Sequence, residues 1–225
     1  MVQQSTLNMK ALILGATGAT GNDLLNKLLT DDAFDRIDIF VRRSLPIQDA
    51  KLSVHVIDFD QPEQWKHLVK GDVLFSCLGT TLKTAGSKEA QWKIDYEYQY
   101  NFAKAARENN VTSYVLVSAA YASPDSRIFY SKMKGQLEKA VMELSFPRLI
   151  IFNPPLLDRK NSDRPAEVVG LRVIKFLNKM GLFLAQKPLS TEILAQAMIN
   201  VAKSKEKGVF AFKEKEIWQC ANAKW

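Results

Sequence analysis

Met9-Lys10-Ala11-Leu12-Ile13-Leu14-Gly15-Ala16-Thr17-Gly18-Ala19-Thr20-Gly21 sets an apolar run directly before three glycines spaced Gly-x-x-Gly-x-x-Gly. The run 11–14 is apolar at every position, as expected of a strand buried on both faces, and residues 23–29 read as a helix. A tight turn between such elements brings the unpaired N–H groups and positive dipole end of the helix to the strand's C-terminal end, where phosphates bind. In that geometry Gly15 makes the turn, Gly18 lets the backbone approach a pyrophosphate and Gly21 lets the helix pack close to the strand. Thr17, Ala19 and Thr20 complete the loop and are expected to touch the same ligand.

The pattern continues outward from this unit. Apolar runs at 37–41, 54–57, 73–78, 114–117 and 149–152 alternate with helix-like stretches at 62–68, 90–108 and 130–144. Strand–helix alternation of this kind predicts an α/β fold, a Rossmann-type doubly wound parallel sheet with helices on both faces. Past Pro154-Pro155 the rhythm changes: 156–165 reads as a polar loop, 166–180 and 191–202 as helices, and 209–212 as a short strand. These late pieces are too small to fold alone. The expectation is one domain over 1–225. Its Rossmann core is 1–158, and a small C-terminal substrate-binding region, 159–225, packs over the strand ends. Charge marks the same boundary: 1–158 carry 18 Lys/Arg and 18 Asp/Glu, whereas 159–225 carry 13 and 6 and so hold the whole +7 excess.

The second strand runs into Val41-Arg42-Arg43-Ser44. Arg42 stands about 20 residues after the glycine motif, where NAD-selective sites place an acid for the ribose hydroxyls. Two adjacent guanidiniums instead suit a 2′-phosphate, so the expected cofactor is NADP rather than NAD. Asp58-Phe59 ends the third strand, and both residues are candidates for contact with the cofactor. Asp58 could accept a hydrogen bond from an adenine amino group or cap the helix that follows, and both readings stand at this stage.

Tyr130-Ser131-Lys132-Met133-Lys134 holds Tyr-x-x-x-Lys at the start of a predicted helix, so the two side chains share a face. An ammonium beside a phenol favours the phenolate, and a phenol so placed can give a proton to a carbonyl that accepts hydride. The glycine motif, Cys77-Leu78-Gly79-Thr80-Thr81, the Tyr130/Lys134 pair and Asn153-Pro154-Pro155 together resemble short-chain dehydrogenases/reductases of the atypical type. Within these, Cys77–Thr81, Tyr130-x-x-x-Lys134-Gly135-x-x-Glu138 and Arg164-Pro165 resemble the Tat-interacting-protein oxidoreductase family. The resemblance covers about 9–165 well and the remainder loosely. It implies an NADP-binding fold with Tyr130 as acid/base and Lys134 as its partner and as a ribose contact; Ser118 is a further catalytic candidate, which could turn inward in place of the serine that many resembling sequences carry one position later. It also implies that Cys77, Leu78, Gly79, Thr80, Asn153 and Pro154 lie along the cofactor. The chain departs from the resembling sequences in carrying Ala119 for a serine and Asp95 for an asparagine. These departures leave a second reading, a noncatalytic NADP-binding regulatory or scaffold protein.

Composition narrows the remaining classes. With 47% hydrophobic and 24% charged residues the chain is ordinary globular protein, which excludes disordered and collagen-like classes. No apolar run reaches the roughly 20 residues of a membrane helix, and Met1–Met9 contains no secretory h-region. No membrane association is expected. Two cysteines and two histidines, with no ligand spacing among them, argue against a metal site and for a reduced, cytoplasmic setting. The scattered C-terminal lysines read as a solvated face, so nucleic acid is not expected as a partner. In 92–108, Trp92, Tyr96 and Tyr100 share one helix face, with Tyr98 and Phe102 on another. One face meets the sheet, and the other either packs in the core or forms a homodimer surface. Leu156, Leu157, Val168 and Leu171 are compatible with a lipophilic carbonyl substrate or with plain core. Gly135 inside a helix indicates either a close approach of backbone or cofactor, or a tolerated defect costing about 1 kcal/mol relative to alanine.

Overall fold

The computed structural model describes residues 8–158 and 188–223. In chain order the strands are β1 Met9–Leu14, β2 Phe34–Val41, β3 Leu52–Val56, β4 Val73–Ser76, β5 Ser113–Val117, β6 Arg148–Asn153, β7 Leu157–Asp158, β8 Leu189–Ser190 and β9 Gly208–Lys213. The helices are α1 Ala19–Leu29, α2 Pro62–Trp65, α3 Leu82–Ala85, α4 Lys88–Trp92, α5 Tyr98–Glu108, α6 Phe129–Glu143, α7 Thr191–Ala202 and α8 Glu214–Asn222. The main sheet has seven strands in the order β3-β2-β1-β4-β5-β6-β9, paired parallel throughout. Strands β7 and β8 form a separate short parallel pair.

The apolar runs form central strands because both of their faces are covered. Along β1, Ala11 and Ile13 enter one core with Leu24, Leu25 and Leu28 of α1, while Leu12 and Leu14 enter the other with Trp65 and Phe102. This alternation is the period of two that a pleated strand imposes. The chain leaves β1 toward β2 on one side and later reaches β4 on the other, so the strand order reverses between β1 and β4. In open α/β sheets such a switch point opens the crevice that receives a ligand.

The late segments correct one expectation. Residues 191–202 and 208–213 do not lie over the strand ends: β9 is the seventh strand, paired to β6 from Arg148↔Gly208 to Asn153↔Lys213. Helix α7 packs on the sheet face beside α1, with Leu194, Met198 and Ile199 buried in the same core as Ile13. Thr191 donates to Asp23 at 2.6 Å and Lys27 to Gln196 at 3.1 Å, tying α7 to α1. From β6, the buried Arg148 guanidinium donates to the carbonyls of Val201, Ala202 and Ser204, which caps the last turn of α7. The core and the main sheet therefore continue into residues beyond the charge shift near 158. The predicted helix 166–180 and the residues Arg164, Pro165, Val168 and Leu171 lie outside the described residues.

The single helix expected over 90–108 is divided. Ser87 caps α4 by accepting from the Ala90 N–H at 3.1 Å, and a π-turn at Lys93–Glu97 separates α4 from α5. The turn contains Asp95, whose backbone carbonyl accepts from the Gln99 side chain at 2.7 Å. Phe102, on the sheet-facing side, is fully buried and stacks on Trp65 at 4.1 Å. Trp92, Tyr96 and Tyr100 stack in a half-buried row at 4.8 and 6.2 Å.

Gly135 has a packing reason. A Cβ on it would lie 2.2 Å from the carbonyl carbon of Ser123 and 2.3 Å from the nitrogen of Pro124. The loop after β5 thus rests directly on the backbone of α6, and the Ser123 N–H donates to the Ser131 carbonyl at 3.0 Å. Alanine at a free helix site gains about 1 kcal/mol over glycine, but here the overlap with backbone reverses the sign. Gly135→Ala should lower stability by about 1–3 kcal/mol, read as a lower midpoint in a denaturant melt. An unchanged or raised midpoint would contradict this close approach.

Candidate functional site

Two loops meet at the switch point. Gly15, directly after β1, has φ +86°, and a Cβ on it would lie 2.6 Å from the Leu78 nitrogen after β4. The Gly18 N–H closes the turn onto the Gly15 carbonyl at 3.0 Å. A Cβ on Gly21 would lie 2.1 Å from the Gly15 carbonyl oxygen, so Gly15 and Gly21 are required by the packing of the turn itself. Gly18 is different: its Cβ would meet only the Gly15 oxygen, at 3.4 Å, and its other side is exposed. Gly18 is the N-cap of α1 with no side-chain cap bond, and the first turn of α1 holds no acid. The turn therefore presents helix N–H groups outward without a competing carboxylate, which fits an anionic dinucleotide bridge.

Beside this turn, Thr17, Val41, Arg42, Arg43 and Leu45 line a cleft of about 520 Å³. Both arginines are exposed, and neither forms an ion pair among the described residues. Asp38, earlier in this strand, is buried and held by Lys10 at 2.7 Å and His55 at 3.0 Å, away from that cleft. At the end of β3, Asp58 makes the contacts that its capping reading expects. Its carboxylate accepts from the Asp60 N–H at 3.0 Å and from Gln61 at 2.9 Å, capping the turn into α2. Phe59 faces the core, 5.2 Å from Tyr98 and 5.7 Å from Phe102 between ring centroids. As a side-chain contact for a cofactor, Phe59 is therefore corrected to a core residue.

A larger cleft of about 830 Å³ opens at the C-terminal ends of β4, β5 and β6. It brings together Thr80, Ser118, Ala119, Tyr130, Asn153 and Pro154, which come from four separate segments. Tyr130 is 40% exposed in it. Lys134, one helical turn further on, is 2% exposed and has no carboxylate partner among the described residues. Its ammonium lies close enough to Cys77 to oppose the effect of burial there, which pushes the thiol up to about 12. Cys77 is thus a neutral thiol at the floor between the two loops. Gly79 has open space where a Cβ would stand. The next residue, Thr80, is clamped: its N–H donates to Asp95 Oδ1 at 2.7 Å and its carbonyl accepts from Gln91 at 3.4 Å. The π-turn that divides the helix is what delivers Asp95 to this backbone.

Glu138 received no role from its sequence position, although it continues the row Tyr130, Lys134, Glu138 at a spacing of four. Its carboxylate accepts from the Ser118 hydroxyl and from Asn153 Nδ2, the latter at 2.7 Å. Asn153 also donates to the Ala119 carbonyl at 3.0 Å. One carboxylate on α6 thereby fixes the ends of β5 and β6 where they enter the cleft. The repeat at i, i+4, i+8 is the signal that could have drawn attention to Glu138, because it places all three groups on one helix face.

Comparisons with known proteins agree with this geometry. Residues 15–145 match the family described as NAD(P)H-binding. The chain is 34% identical over 208 residues to "Protein FMP52-1, mitochondrial" of Scheffersomyces stipitis, covering 89% of this chain and 91% of that protein. It is 39% identical over 167 residues to "Protein FMP52, mitochondrial" of Saccharomyces cerevisiae, covering 72% of each. Among solved structures, the fold is similar to the Bordetella bronchiseptica enzyme WbmH in complex with NAD+, with a TM-score of 0.68 at 14% identity over 91% of this chain and 75% of that one. The names of the relatives overturn the cytoplasmic setting expected from composition. Few cysteines argue against a disulfide framework, but they do not distinguish one reduced compartment from another. With its glycine turn at the β1/β4 switch point and its matched core, the chain belongs to the NAD(P)H-binding family.

Proposed function

We propose that the protein is an NADP(H)-dependent carbonyl reductase, working in mitochondria as the names of its relatives suggest. The observation that carries this reading is the buried Lys134, without an ion-pair partner among the described residues, one helical turn from a tyrosine that stands in the cleft. A lysine is rarely buried unless paired, so a ligand hydroxyl or the Tyr130 phenol is the partner its placement calls for. The turn of Gly15 to Gly21 holds the pyrophosphate, with Thr17, Ala19 and Thr20 at its rim. Arg42 and Arg43 hold a 2′-phosphate. Cys77, Leu78, Gly79, Thr80, Asn153 and Pro154 frame the path toward the reacting end. When bound, the reduced nicotinamide supplies hydride to a carbonyl carbon. Tyr130 gives its phenolic proton to the carbonyl oxygen, and Lys134 stabilises the phenolate that this leaves. Glu138 keeps Ser118 and Asn153 in place and takes no proton from the substrate. The experiment is an NADPH-oxidation screen over aldehydes and ketones, run on the wild type beside Tyr130→Phe. Oxidation by the wild type that the variant retains in full would contradict this assignment.

The preference for NADP has its own test. Calorimetry should show NADPH binding at least about tenfold more tightly than NADH, because each charge-assisted contact to a phosphate contributes on the order of 1.5–3 kcal/mol. Arg42→Ala combined with Arg43→Ala should remove most of that difference and leave NADH affinity nearly unchanged. Equal affinities in the wild type would contradict the assignment of the two guanidiniums.

One observation favours a second reading. The Ser118 hydroxyl donates to Glu138, and its neighbour Ala119 offers no hydroxyl. A protein so arranged binds NADP and transmits its occupancy without turnover. NADPH affinity in the micromolar range together with no carbonyl reduction by any substrate would favour it.

A further inference from the structure

Large apolar side chains on a protein surface usually stand singly and need no explanation. Here they converge. Of the nine large hydrophobic residues exposed among the described residues, Leu82, Tyr121, Ile128, Tyr130 and Leu156 all line the 830 Å³ cleft. They come from different places: the segment after β4, the loop after β5, the entry to α6 and the segment after β6. Tyr121 is 76% and Ile128 67% exposed, so these are walls and not core.

Several polar groups of the same cleft are already engaged. Ser118 donates to Glu138, Asn153 to Glu138 and the Ala119 carbonyl, and Gln91 to the Thr80 carbonyl. A polyhydroxylated substrate would find few free partners and would strand its hydroxyls against Leu82, Ile128 and Leu156. The charges at the rim do not select an anion: Lys88 lies over the Phe129 ring at 5.6 Å, and Lys213 is followed by Glu214. The Tyr130 hydroxyl shares the cleft with these apolar walls, and it stands one helical turn from the buried Lys134.

We infer that the cleft takes a carbonyl compound with an apolar body, a medium-chain aliphatic aldehyde or ketone whose oxygen meets Tyr130 and whose chain lies along Leu82, Ile128 and Leu156. This rests on the reductase reading for the chemistry, whereas the apolar selectivity rests on the walls alone. Each methylene laid against such walls should strengthen binding by about two- to fourfold.

The test has two arms. In the first, 2-butanone and 2-nonanone are titrated by calorimetry into the protein with NADP⁺ present, so that no turnover occurs. The expected result is at least about thirtyfold tighter binding of 2-nonanone, from five added methylenes. Ile128→Ser and Leu156→Ser should each flatten that dependence on chain length. Equal binding of the two ketones, no binding of either, or a chain-length dependence untouched by both variants overturns the inference. In the second arm, NADPH oxidation is followed with the same ketones. Tight 2-nonanone binding without oxidation would leave the apolar site standing and reject the reductase reading. Oxidation of short and long ketones with equal kcat/KM and equal affinity would do the reverse.

Discussion

Tyr130→Phe keeps NADPH affinity within a few-fold of the wild type and lowers carbonyl turnover by about 10²- to 10⁴-fold, the usual contribution of a positioned general acid. The substitution removes one hydroxyl from a ring that is 40% exposed in the cleft, so packing and the melting midpoint should barely change. Lys134→Ala differs in kind. It removes a side chain that is 2% exposed, and with it the charge proposed to stabilise the phenolate and the proposed contact to the ribose. It should lower kcat and weaken NADPH binding together. Steady-state kinetics and calorimetry on both variants separate the two cases. Parallel losses of rate and affinity in Tyr130→Phe would mean that the tyrosine serves to hold the cofactor.

The glycine turn yields the second large effect, because two glycines three residues apart serve different ends: Gly18 faces outward, whereas Gly21 faces the turn. Gly18→Val should abolish binding of either nicotinamide dinucleotide, since its side chain would occupy the approach of the pyrophosphate. The fold should survive, because a Cβ there meets nothing closer than 3.4 Å. Gly21→Ala should lose binding and stability together, by about 1–3 kcal/mol or more, because its Cβ would stand 2.1 Å from the Gly15 carbonyl oxygen. Thermal melts with and without NADPH read both quantities. A Gly18→Val protein that NADPH still stabilises would place the pyrophosphate elsewhere.

The sheet was legible because its central strands are largely apolar on both faces, and continuous apolar runs such as 11–14 and 149–152 have few other readings. The extent of 191–202 was equally legible from its apolar face, but its position was not. An apolar stripe says that a helix is buried without saying against what, and only the sheet face left open beside α1 explains where α7 lies. The same limit applied at Phe59: strand-end alternation did not reveal that Phe102 and Tyr98 would enclose its ring. In the cleft, Gly15 to Gly21 and Tyr130 with Lys134 were visible because local spacing alone brings them together. The role of Glu138, quoted only as part of a family segment, was not, because its partners Ser118 and Asn153 lie 20 and 15 residues away at the ends of two different strands. The clamp on Thr80 was hidden for a similar reason, since a π-turn rotates Asp95 to a phase that a regular helix would not give it. Compartment left no physical trace in composition at all.

Hydride transfer itself is tested most directly by following the label from [4-²H]NADPH, deuterated at the transferred position, into the alcohol formed from a medium-chain ketone. The account predicts deuterium on the carbinol carbon of the product from the wild-type protein, and a yield lower by about 10²- to 10⁴-fold from Tyr130→Phe at equal cofactor occupancy. A protein that is saturated with the labelled cofactor and passes no deuterium to any aldehyde or ketone would contradict it.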